Sequence, residues 1–404
     1  MTEETYVPKY LQSRQNLRLV DDDEKLTSKR TRRRKLLSID VSAVNTKSSA
    51  NIDQKNSGDK DYQFGDTTYR HDGFSIGKDY LRCDGKTLTR GKLFSNSTTI
   101  GEIIGQGNFS QVYKGTFINA SNSMGIDCSK ENPVPVAIKK STVFDISEQR
   151  KKMLLKELKA LSQLQSKALV GFHGAFLEDD AVVLVMEYMD GGSLEQWRQK
   201  KKTDNISDLL STKSSRLKRE RFVVSIAYQV LKGLEYLHSQ RIIHRDIKPG
   251  NILLNSRGEV KLCDFGISSL YGEDDASLQT TVVGTSRFMS PERLRAKPYG
   301  KASDIWSFGL VILELWKEEI PFKECASIVS LVITVEETSL DDLLSGIRSL
   351  SGNLWDMLVF CLQQEPVKRM PASILLQAPL FTAQHQITTL EEARILLFEN
   401  NRQF

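Results

Sequence analysis

The sequence predicts an α+β protein behind a disordered amino-terminal leader, and three observations support that fold class. Residues 1–72 are polar, and their few apolar residues follow neither the period of a strand nor that of a helix. Residues 98–188 carry mainly the short apolar runs and glycine turns that are typical of strands. Residues 189–381 carry mainly apolar stripes at helical spacing. We therefore expect a strand-rich part followed by a helical part.

The composition is ordinary for a soluble protein with a sizeable core. The chain has 404 residues, of which 39% are hydrophobic and 26% are charged, and its formal net charge is +5. A charge this small for the length argues against wholesale nucleic-acid binding. The five cysteines show no metal-site spacing, which suggests free thiols in a reducing compartment.

No targeting or membrane signal stands out in the chain. No segment approaches the roughly 20 apolar residues needed to span a bilayer. The first residues lack the apolar core of a signal peptide, and position 2 is not the glycine required for myristoylation. We expect a cytoplasmic protein without a membrane partner, with the nucleus as a second location.

Within the leader, residues 29–41 combine a basic run with apolar residues at every second position. An extended peptide of this kind places its cations against an acidic patch and its alternate side chains in an apolar groove. The pattern is equally compatible with a nuclear localisation signal or a solvated charge run. The residues of the pattern are Arg32, Arg33, Arg34, Lys35, Leu37 and Ile39.

Residues 73–97 form a lead-in segment with a pattern of its own. Paired and alternating apolar residues are separated by glycines, which suggests short strands or turns packed on the next domain. A simple lead-in strand and a regulatory clamp are the two interpretations of this segment.

A strand, a glycine turn and a second strand are predicted between Ile103 and Tyr113. Gly105 and Gly107 allow main-chain amides to approach the phosphates of a nucleotide closely. Ser110 stands where such loops usually carry a third glycine, and that position only needs to be small.

A further strand is predicted at residues 136–140 and an amphipathic helix at residues 150–164. Lys139 and Lys140 are adjacent on the strand and should therefore face opposite sides. Glu157 lies on the apolar stripe of the helix, where a carboxylate needs a partner, and Lys139 is the natural one.

The next segments lead to the stretch around which the chain is organised. Residues 181–194 read as a buried strand that leaves through a glycine-rich turn. We interpret the basic residues 199–221 as an extended, solvated connection between two helices. Residues 222–239 follow as a helix.

Residues 243–266 contain the most informative pattern in the sequence. His244-Arg245-Asp246 and Asn251 precede a short apolar segment, and a glycine turn and a second apolar segment lead to Asp264-Phe265-Gly266. Two strands joined by a tight turn span such a gap, so we expect Asp246 and Asp264 to approach one cleft.

This stretch resembles the catalytic and metal-binding loops of protein kinases. The resemblance extends over residues 98–381 and implies a bilobal kinase fold, with a small lobe at 98–188 and a large lobe at 189–381. It also implies ATP as the phosphoryl donor and Mg²⁺ as the metal ion. The catalytic residues that it implies are Asp246, Lys248, Lys139 and Glu157, and the metal ligands are Asn251 and Asp264.

The same resemblance assigns a nucleotide site. Val112 and Ala137 should lie on one side of adenine and Leu253 on the other, with main-chain groups of Glu187 and Met189 bonded to its edge. The residues implied are Ile104, Gly105, Gln106, Gly107, Asn108, Phe109, Ser110, Val112, Ala137, Lys139, Met186, Glu187, Met189 and Leu253.

Several structural contacts are implied as well. His244 and Phe265 should pack behind the site together with Leu161. Asp304 should begin a buried helix and hold the main chain of the catalytic loop. A buried ion pair is expected between Glu292 and Arg369, and Cys263 should be a small buried residue.

The segment after Asp264 contains a second pattern, which indicates a particular group within the protein kinases. Ser277 and Thr281 precede Met-Ser-Pro-Glu-Arg, and their spacing is similar to the paired phosphorylation sites of MAP kinase kinases. A phosphate there would seek an arginine, and Arg245 is the expected partner. Thr280 is an alternative acceptor that the sequence leaves open.

The MAP kinase kinase resemblance implies partners. The basic-apolar pattern of the leader looks like the peptide with which these enzymes dock MAP kinases, and an upstream MAP kinase kinase kinase would be the activator of a monomeric enzyme. Lys248 is typical of serine/threonine kinases, so phosphorylation of Tyr follows from the family alone. An upstream serine/threonine kinase (a MAP kinase kinase kinase or STE20-like enzyme) and a catalytically idle scaffold are the alternatives. Residues 382–404 are expected to form a short docked helix.

Overall fold

The computed structural model describes the parts of the chain on which the site depends. The described residues are 69–71, 74–77, 80–83, 86–87, 98–107, 110–117, 133–142, 158–178, 181–203, 213–265, 286–345, 347 and 352–382. The chain divides into two compact units, Met1–Lys60 and Asp61–Phe404, and every described residue belongs to the second.

A five-stranded antiparallel sheet forms the strand-rich part. Its strands are β5 (Thr98–Gln106), β6 (Ser110–Phe117), β7 (Val134–Thr142), β8 (Phe172–Glu178) and β9 (Ala181–Glu187), in the order β5-β6-β7-β9-β8. Residues such as Val136, Ile138 and Val183 pack in one apolar cluster. These β-branched side chains favour a pleated, buried sheet, which is why this part of the sequence forms strands.

A second sheet precedes the first. It is a meander of β1 (Tyr69–His71), β2 (Phe74–Gly77), β3 (Tyr80–Cys83) and β4 (Lys86–Thr87), each strand pairing with the next. β2 and β3 contact β8, and Ile76 is completely buried. Strands are therefore present in the lead-in segment, and they pack on the sheet that follows. The predicted end of the disordered leader at residue 72 is wrong, because β1 already begins at Tyr69 and pairs with β2.

The helical part is built around one buried helix. α4 (Lys301–Lys317) has every residue from Ser303 to Trp316 buried, as expected of a helix that other elements cover on all sides. None of the helices that the structure describes is long and apolar enough to cross a membrane. Residues 158–163 are also helical. The other helices whose two ends are described are α1 (Leu194–Thr203), α2 (Lys213–Ser239), α3 (Pro291–Leu294), α5 (Ile328–Glu337), α6 (Leu340–Leu343), α7 (Gly352–Cys361), α8 (Ala372–Leu375) and α9 (Pro379–Thr382).

The expected extended connection over residues 199–221 is wrong at both ends. α1 continues to Thr203, and α2 begins at Lys213, nine residues before the predicted start. Lysine, arginine and glutamate are good helix formers, and basic side chains are favoured near a helix C-terminus, as in α1. High charge indicated solvent exposure here, but it does not prevent a helix.

A small sheet of three strands belongs to the mainly helical part of the chain. It consists of β10 (Gly192–Ser193), β11 (Ile252–Leu254) and β12 (Val260–Leu262), in that order and all antiparallel. The short 3₁₀ turn Pro249–Asn251 leads directly into β11. The predicted pair of strands after the catalytic loop is therefore confirmed.

Candidate active site

The main chain just before Asp246 is held by one buried carboxylate in the first turn of α4. Asp304 accepts hydrogen bonds from the N–H of His244 (N to Oδ2, 2.8 Å) and from the N–H of Arg245 (N to Oδ1, 2.9 Å). The Nε2 of His238 lies 2.8 Å from the same Oδ2. Arg245 has a φ of 72°, an unfavourable conformation for an L-residue, so these bonds fix a strained loop. The predicted role of Asp304 is confirmed.

Asp246 lies in a small polar cluster. Its Oδ2 accepts a hydrogen bond from the Nδ2 of Asn251 at 2.7 Å and pairs with the Nζ of Lys248 at 2.8 Å. Burial raises the pKa of Asp246, but Lys248, His244 and the Asn251 amide together outweigh burial, and the pKa lies below its ordinary value. The carboxylate is therefore ionised at neutral pH and can accept a hydrogen bond from a substrate hydroxyl.

The β11–β12 hairpin returns the chain to this cluster. Ile252 lies opposite Leu262, and the N–H of Cys263 donates to the carbonyl of Asn251 at 3.1 Å. Asp264 follows with a φ of 59°. The hairpin thus delivers the second carboxylate to the loop that carries the first.

Lys139 extends from β7 to this second carboxylate. Its Nζ lies 2.8 Å from Oδ1 of Asp264, and only 7% of the residue is exposed. Lys140 pairs with Glu178 and is more exposed, so the prediction that the two lysines face opposite sides is confirmed. Glu157, the predicted partner of Lys139, lies outside the described residues.

The electrostatic surroundings of Cys263 show how closely these groups converge. Burial is the main cause that raises the pKa of its thiol; Asp264 and Asp246 also raise that pKa, whereas Lys139 and Lys248 lower it. All four charges therefore act on this one thiol. The thiol is buried and protonated at neutral pH, which confirms the structural part predicted for Cys263.

The predicted metal ligands fit a hard cation. The Nδ2 of Asn251 donates to both the carbonyl oxygen (2.8 Å) and Oδ2 (2.7 Å) of Asp246, which leaves the Oδ1 of Asn251 for a cation. Together with the carboxylate of Asp264, this oxygen offers the donor type that Mg²⁺ prefers.

An apolar cluster marks the position predicted for adenine. The N–H of Glu187 donates to the carbonyl of Gly171 at 2.8 Å. Of the two main-chain groups of Glu187, only the carbonyl can therefore form a hydrogen bond with a ligand. Ala137 is buried in β7 and Val112 is half-buried in β6. The side chains of the cluster are Val170, Met186, Met189, Leu253 and Cys263.

The predicted glycine loop connects β5 and β6. Gly105 lies opposite Val112, and the N–H of Gly107 donates to the carbonyl of Ser110 at 2.8 Å. Ile104 and Gln106 belong to β5, with Ile104 half-buried and Gln106 exposed. The tip of the loop, residues 108–109 with the predicted Asn108 and Phe109, lies outside the described residues.

The protein kinase domain family matches residues 98–381. The chain belongs to the protein kinase family. Kinases of this family transfer phosphate from ATP with the help of a divalent cation, which accords with the donor set described above.

The relatives of this kinase include MAP kinase kinases. It is 38% identical to mitogen-activated protein kinase kinase 2 of Arabidopsis thaliana over 243 residues, 58% of this chain and 62% of that protein. It is 45% identical to dual specificity mitogen-activated protein kinase kinase dSOR1 of Drosophila melanogaster over 166 residues, 41% of this chain and 38% of that protein. It is 32% identical to serine/threonine-protein kinase fray1 of Dictyostelium discoideum over 299 residues, 73% and 48% of the two chains. The aligned regions span less than two thirds of each relative.

The kinase has the predicted apolar support behind the site. The rings of His244 and Phe265 meet edge to face with centroids 6.1 Å apart. His244 is completely buried, and burial lowers its pKa despite nearby carboxylates, so the ring is neutral at pH 7. Leu161 is also buried. The predicted packing of His244 with Phe265 is confirmed.

The predicted ion pair of the large lobe is present. Nη1 and Nη2 of Arg369 donate to the two carboxylate oxygens of Glu292 at 2.7 and 2.8 Å, and Ser303 donates to Oε1 at 2.6 Å. Burial raises the pKa of Glu292, but the hydrogen bonds from Arg369 and Ser303 outweigh it and lower the pKa to about 2. The end of the activation segment, which runs from Asp264 to Glu292, is therefore tied to the large lobe.

Sequence reasoning missed two side chains near the nucleotide site. Glu187 was assigned main-chain contacts alone, but its carboxylate pairs with Lys261 of β12. The available signal was a lysine between Val260 and Leu262, because a cation on a buried strand needs a partner.

The regulatory predictions concern residues outside the described ranges. These are the phosphorylation sites Ser277 and Thr281 and the docking residues Arg32, Arg33, Arg34, Lys35, Leu37 and Ile39. They stay predictions.

Proposed function

We propose that this kinase is a MAP kinase kinase that transfers the γ-phosphoryl group of ATP, with Mg²⁺, to Thr and Tyr of a MAP kinase. The observation that carries the proposal is that the four polar residues expected of a kinase are connected in space. Lys139 pairs with Asp264, and Asn251 donates to Asp246. The main-chain bond from Cys263 to Asn251 joins the two pairs. Phosphoryl transfer needs alignment and charge neutralisation more than covalent chemistry, and these residue types supply both.

Each polar residue has a distinct part in the proposed reaction. Asp246 orients the substrate hydroxyl, and its ionised state at neutral pH supports this. Lys248 stabilises the transferred phosphate from its place beside Asp246. Lys139 would contact the α- and β-phosphates. Asn251 and Asp264 would hold a divalent cation, which would supply positive charge to neutralise the charge that develops in transfer.

Activation by phosphorylation at Ser277 and Thr281 is the second element of the proposal. Its support in the described residues is Arg245, whose guanidinium has no hydrogen-bond or ion-pair partner among them. A phosphate that pairs with Arg245 would order the segment between Asp264 and Glu292.

Partners follow from the same family assignment. Residues 29–41 would dock a MAP kinase, and a MAP kinase kinase kinase would phosphorylate the activation segment. The thiols of Cys263, Cys325 and Cys361 are free, which supports a location in a reducing compartment such as the cytoplasm, with the nucleus as a second location.

A reconstituted phosphorylation assay tests the proposal. The full chain is incubated with Mg²⁺-ATP, an active MAP kinase kinase kinase and catalytically inactive MAP kinases, and phosphosites on all proteins are identified by mass spectrometry. We expect phosphate on Thr and Tyr of a MAP kinase activation loop and on Ser277 and Thr281 of this chain. Asp264→Asn should lose transfer to the MAP kinase, because the metal ligand is gone, while its own phosphorylation persists.

Other outcomes separate the alternatives. Phosphorylation of a MAP kinase kinase instead of a MAP kinase would establish an upstream serine/threonine kinase, a reading that the likeness to the Dictyostelium serine/threonine kinase favours. Absence of transfer to either substrate, with partners still bound, would establish a scaffold. If phosphate on this chain were found only outside residues 277–281, the proposed activation by phosphorylation would be refuted.

A further inference from the structure

Three segments of the kinase meet at the carboxylate of Glu187, at the end of β9. The Nζ of Lys261 donates to Oε1 at 2.7 Å and to Oε2 at 2.8 Å. The N–H of Gly171 donates to Oε2 at 3.0 Å, and the N–H of Glu187 donates to the carbonyl of Gly171 at 2.8 Å. Gly171, Glu187 and Lys261 are named the hinge clamp below.

The clamp is built into the fold and is more than a surface ion pair. Lys261 is 8% exposed and lies between the buried residues Val260 and Leu262, so its ammonium group needs a nearby negative charge. Glu187 supplies it at 2.7 Å, and Glu259 lies farther away, with Oε2 at 3.8 Å from the Nζ. A Cβ atom on Gly171 would lie 3.3 Å from Oε2 of Glu187, closer than most such contacts. The missing side chain therefore permits the close approach of the carboxylate to the main chain.

The segment that ends at Gly171 is attached to the hairpin as well. The N–H of Leu262 donates to the carbonyl of Ala168 at 3.0 Å, and the N–H of Val170 donates to the carbonyl of Leu262 at 2.9 Å. Residues 168–171 are thus bonded to β12 along their length and to Glu187 at their end.

These bonds connect the two sides of the nucleotide site. Glu187 and Met189 supply the main chain proposed to bind the adenine edge. Lys261 belongs to the hairpin that carries Leu253, on the adenine face, and ends just before Asp264. The clamp consequently sets the position of the adenine-binding main chain relative to the hairpin.

We propose that Lys261, Glu187 and Gly171 position the nucleotide site, because their bonds hold the adenine-binding main chain against the β11–β12 hairpin. Lys261 and the carboxylate of Glu187 are positioning groups and touch neither the adenine nor the phosphates. The inference rests on the proposed function, since it takes ATP to be the ligand.

Lys261→Met tests the clamp, because it retains the length of the side chain and removes its charge and donors. We expect the KM and the directly measured Kd for ATP to rise on the order of tenfold, while kcat falls much less. In the protein without nucleotide, the amide hydrogens of Gly171 and Glu187 should exchange faster. Lys261→Arg keeps a cation and its donors and should retain most of the affinity.

Arg257→Gln is the matched control. The guanidinium of Arg257 lies 3.6 Å from Oε1 of the same Glu187 carboxylate, but its side chain is 68% exposed and bonds mainly to Glu259. We expect Arg257→Gln to bind ATP as the wild type does. Equal losses of ATP affinity in Lys261→Met and Arg257→Gln would overturn the inference. Any positive charge near Glu187 would then have the same effect, and the buried hinge clamp would have no special part.

Two kinds of failure can be told apart. If the wild-type enzyme and the Lys261→Met variant bind ATP equally well, the inference is overturned and the proposed function stands. Wild-type enzyme that binds no ATP would overturn the proposed function along with it. A loss of kcat with an unchanged KM would also overturn the inference, since it would place the effect of Lys261 on transfer and not on nucleotide positioning.

Discussion

The carboxylates of Asp304 and Glu292 each accept hydrogen bonds from distant parts of the chain. Asp304 binds two main-chain N–H groups of the catalytic loop and the ring of His238, and Glu292 binds Arg369 and Ser303. Because both carboxylates are buried, removing either one leaves its donors unpaired in a medium that cannot replace it.

Glu292→Gln should reduce stability in a pH-dependent way. At neutral pH we expect a loss of about 3–5 kcal/mol in the free energy of unfolding, because the charge of Arg369 stays buried without a negative charge to balance it. The pKa of Glu292 is about 2 in the folded protein, against an ordinary value of 4.5. The contribution of ionised Glu292 to the free energy of unfolding is therefore complete above about pH 4.5 and is lost as the pH falls toward about 2. The wild type and Glu292→Gln should consequently become more similar in stability on acidification. Chemical denaturation at a series of pH values measures this.

Glu365→Gln is the control for that measurement. Glu365 pairs with Lys368, but both side chains are at least half exposed, so its loss should cost less than about 1 kcal/mol. A difference between wild type and Glu292→Gln that stays constant from about pH 6 to pH 3 would contradict the assigned pKa.

Single residues were predictable from the sequence where a motif fixed their position. Asp304, Glu292 and Arg369 were assigned correctly because each lies in a recognisable local pattern. Lys261 and Glu187 were missed because their pairing depends on how a hairpin and a distant strand approach in space. No local pattern encodes that approach.

Close helix packing in the large lobe depends on a residue without a side chain. Gly309 lies in α4, and a Cβ atom there would lie 2.7 Å from Cβ of Cys361 and 2.9 Å from Cδ2 of Leu362. Backbone and buried side chains would have to move to accommodate it. The contact of α4 with α7 and the residue after it is therefore only as close as this glycine allows.

Gly309→Ala should destabilise the kinase by about 1–3 kcal/mol, the usual effect of overpacking a well-filled core. The effect would appear as a lower midpoint in chemical denaturation. Gly352→Ala is the matched change, because no atom of the described residues lies within 4 Å of a Cβ at that position. It should alter stability by less than about 1 kcal/mol. Similar effects of the two substitutions on stability would show that α4 can move away from α7 without a cost in the free energy of unfolding.

At the level of elements, periodicity predicted the type more reliably than the ends. The strand around Lys139 and the β11–β12 hairpin were expected, because β-branched runs and a glycine turn determine them locally. The start of α2 was misjudged because its first residues are charged and have no apolar stripe. The sheet order β5-β6-β7-β9-β8 depends on contacts between distant segments, which a single sequence does not reveal.

At the scale of the whole molecule, the proposed docking peptide should control substrate choice without affecting catalysis. Replacing Leu37 and Ile39 by Ala in the full chain should raise the KM for a MAP kinase on the order of tenfold, because two apolar anchors are lost. The rate with a short peptide substrate should not change. Steady-state kinetics with both substrates measures the difference.

Leu17 and Leu19 provide the control for the docking prediction. They have the same spacing in the leader, but no run of four basic residues precedes them. Their replacement by Ala should leave the KM for the MAP kinase and the KM for the short peptide unchanged. If the two double variants behave alike, residues 29–41 are not a specific docking peptide.

The meander of β1 to β4 bears on where this kinase begins as a folding unit. The family match starts at residue 98, yet Ile76 is completely buried and β2 and β3 contact β8. A fragment trimmed to the family boundary would expose the apolar surface that these strands cover. The smallest self-sufficient piece of the enzyme therefore includes these strands and begins well before residue 98. The folded domain is larger than the region that the family match defines, by about one small sheet.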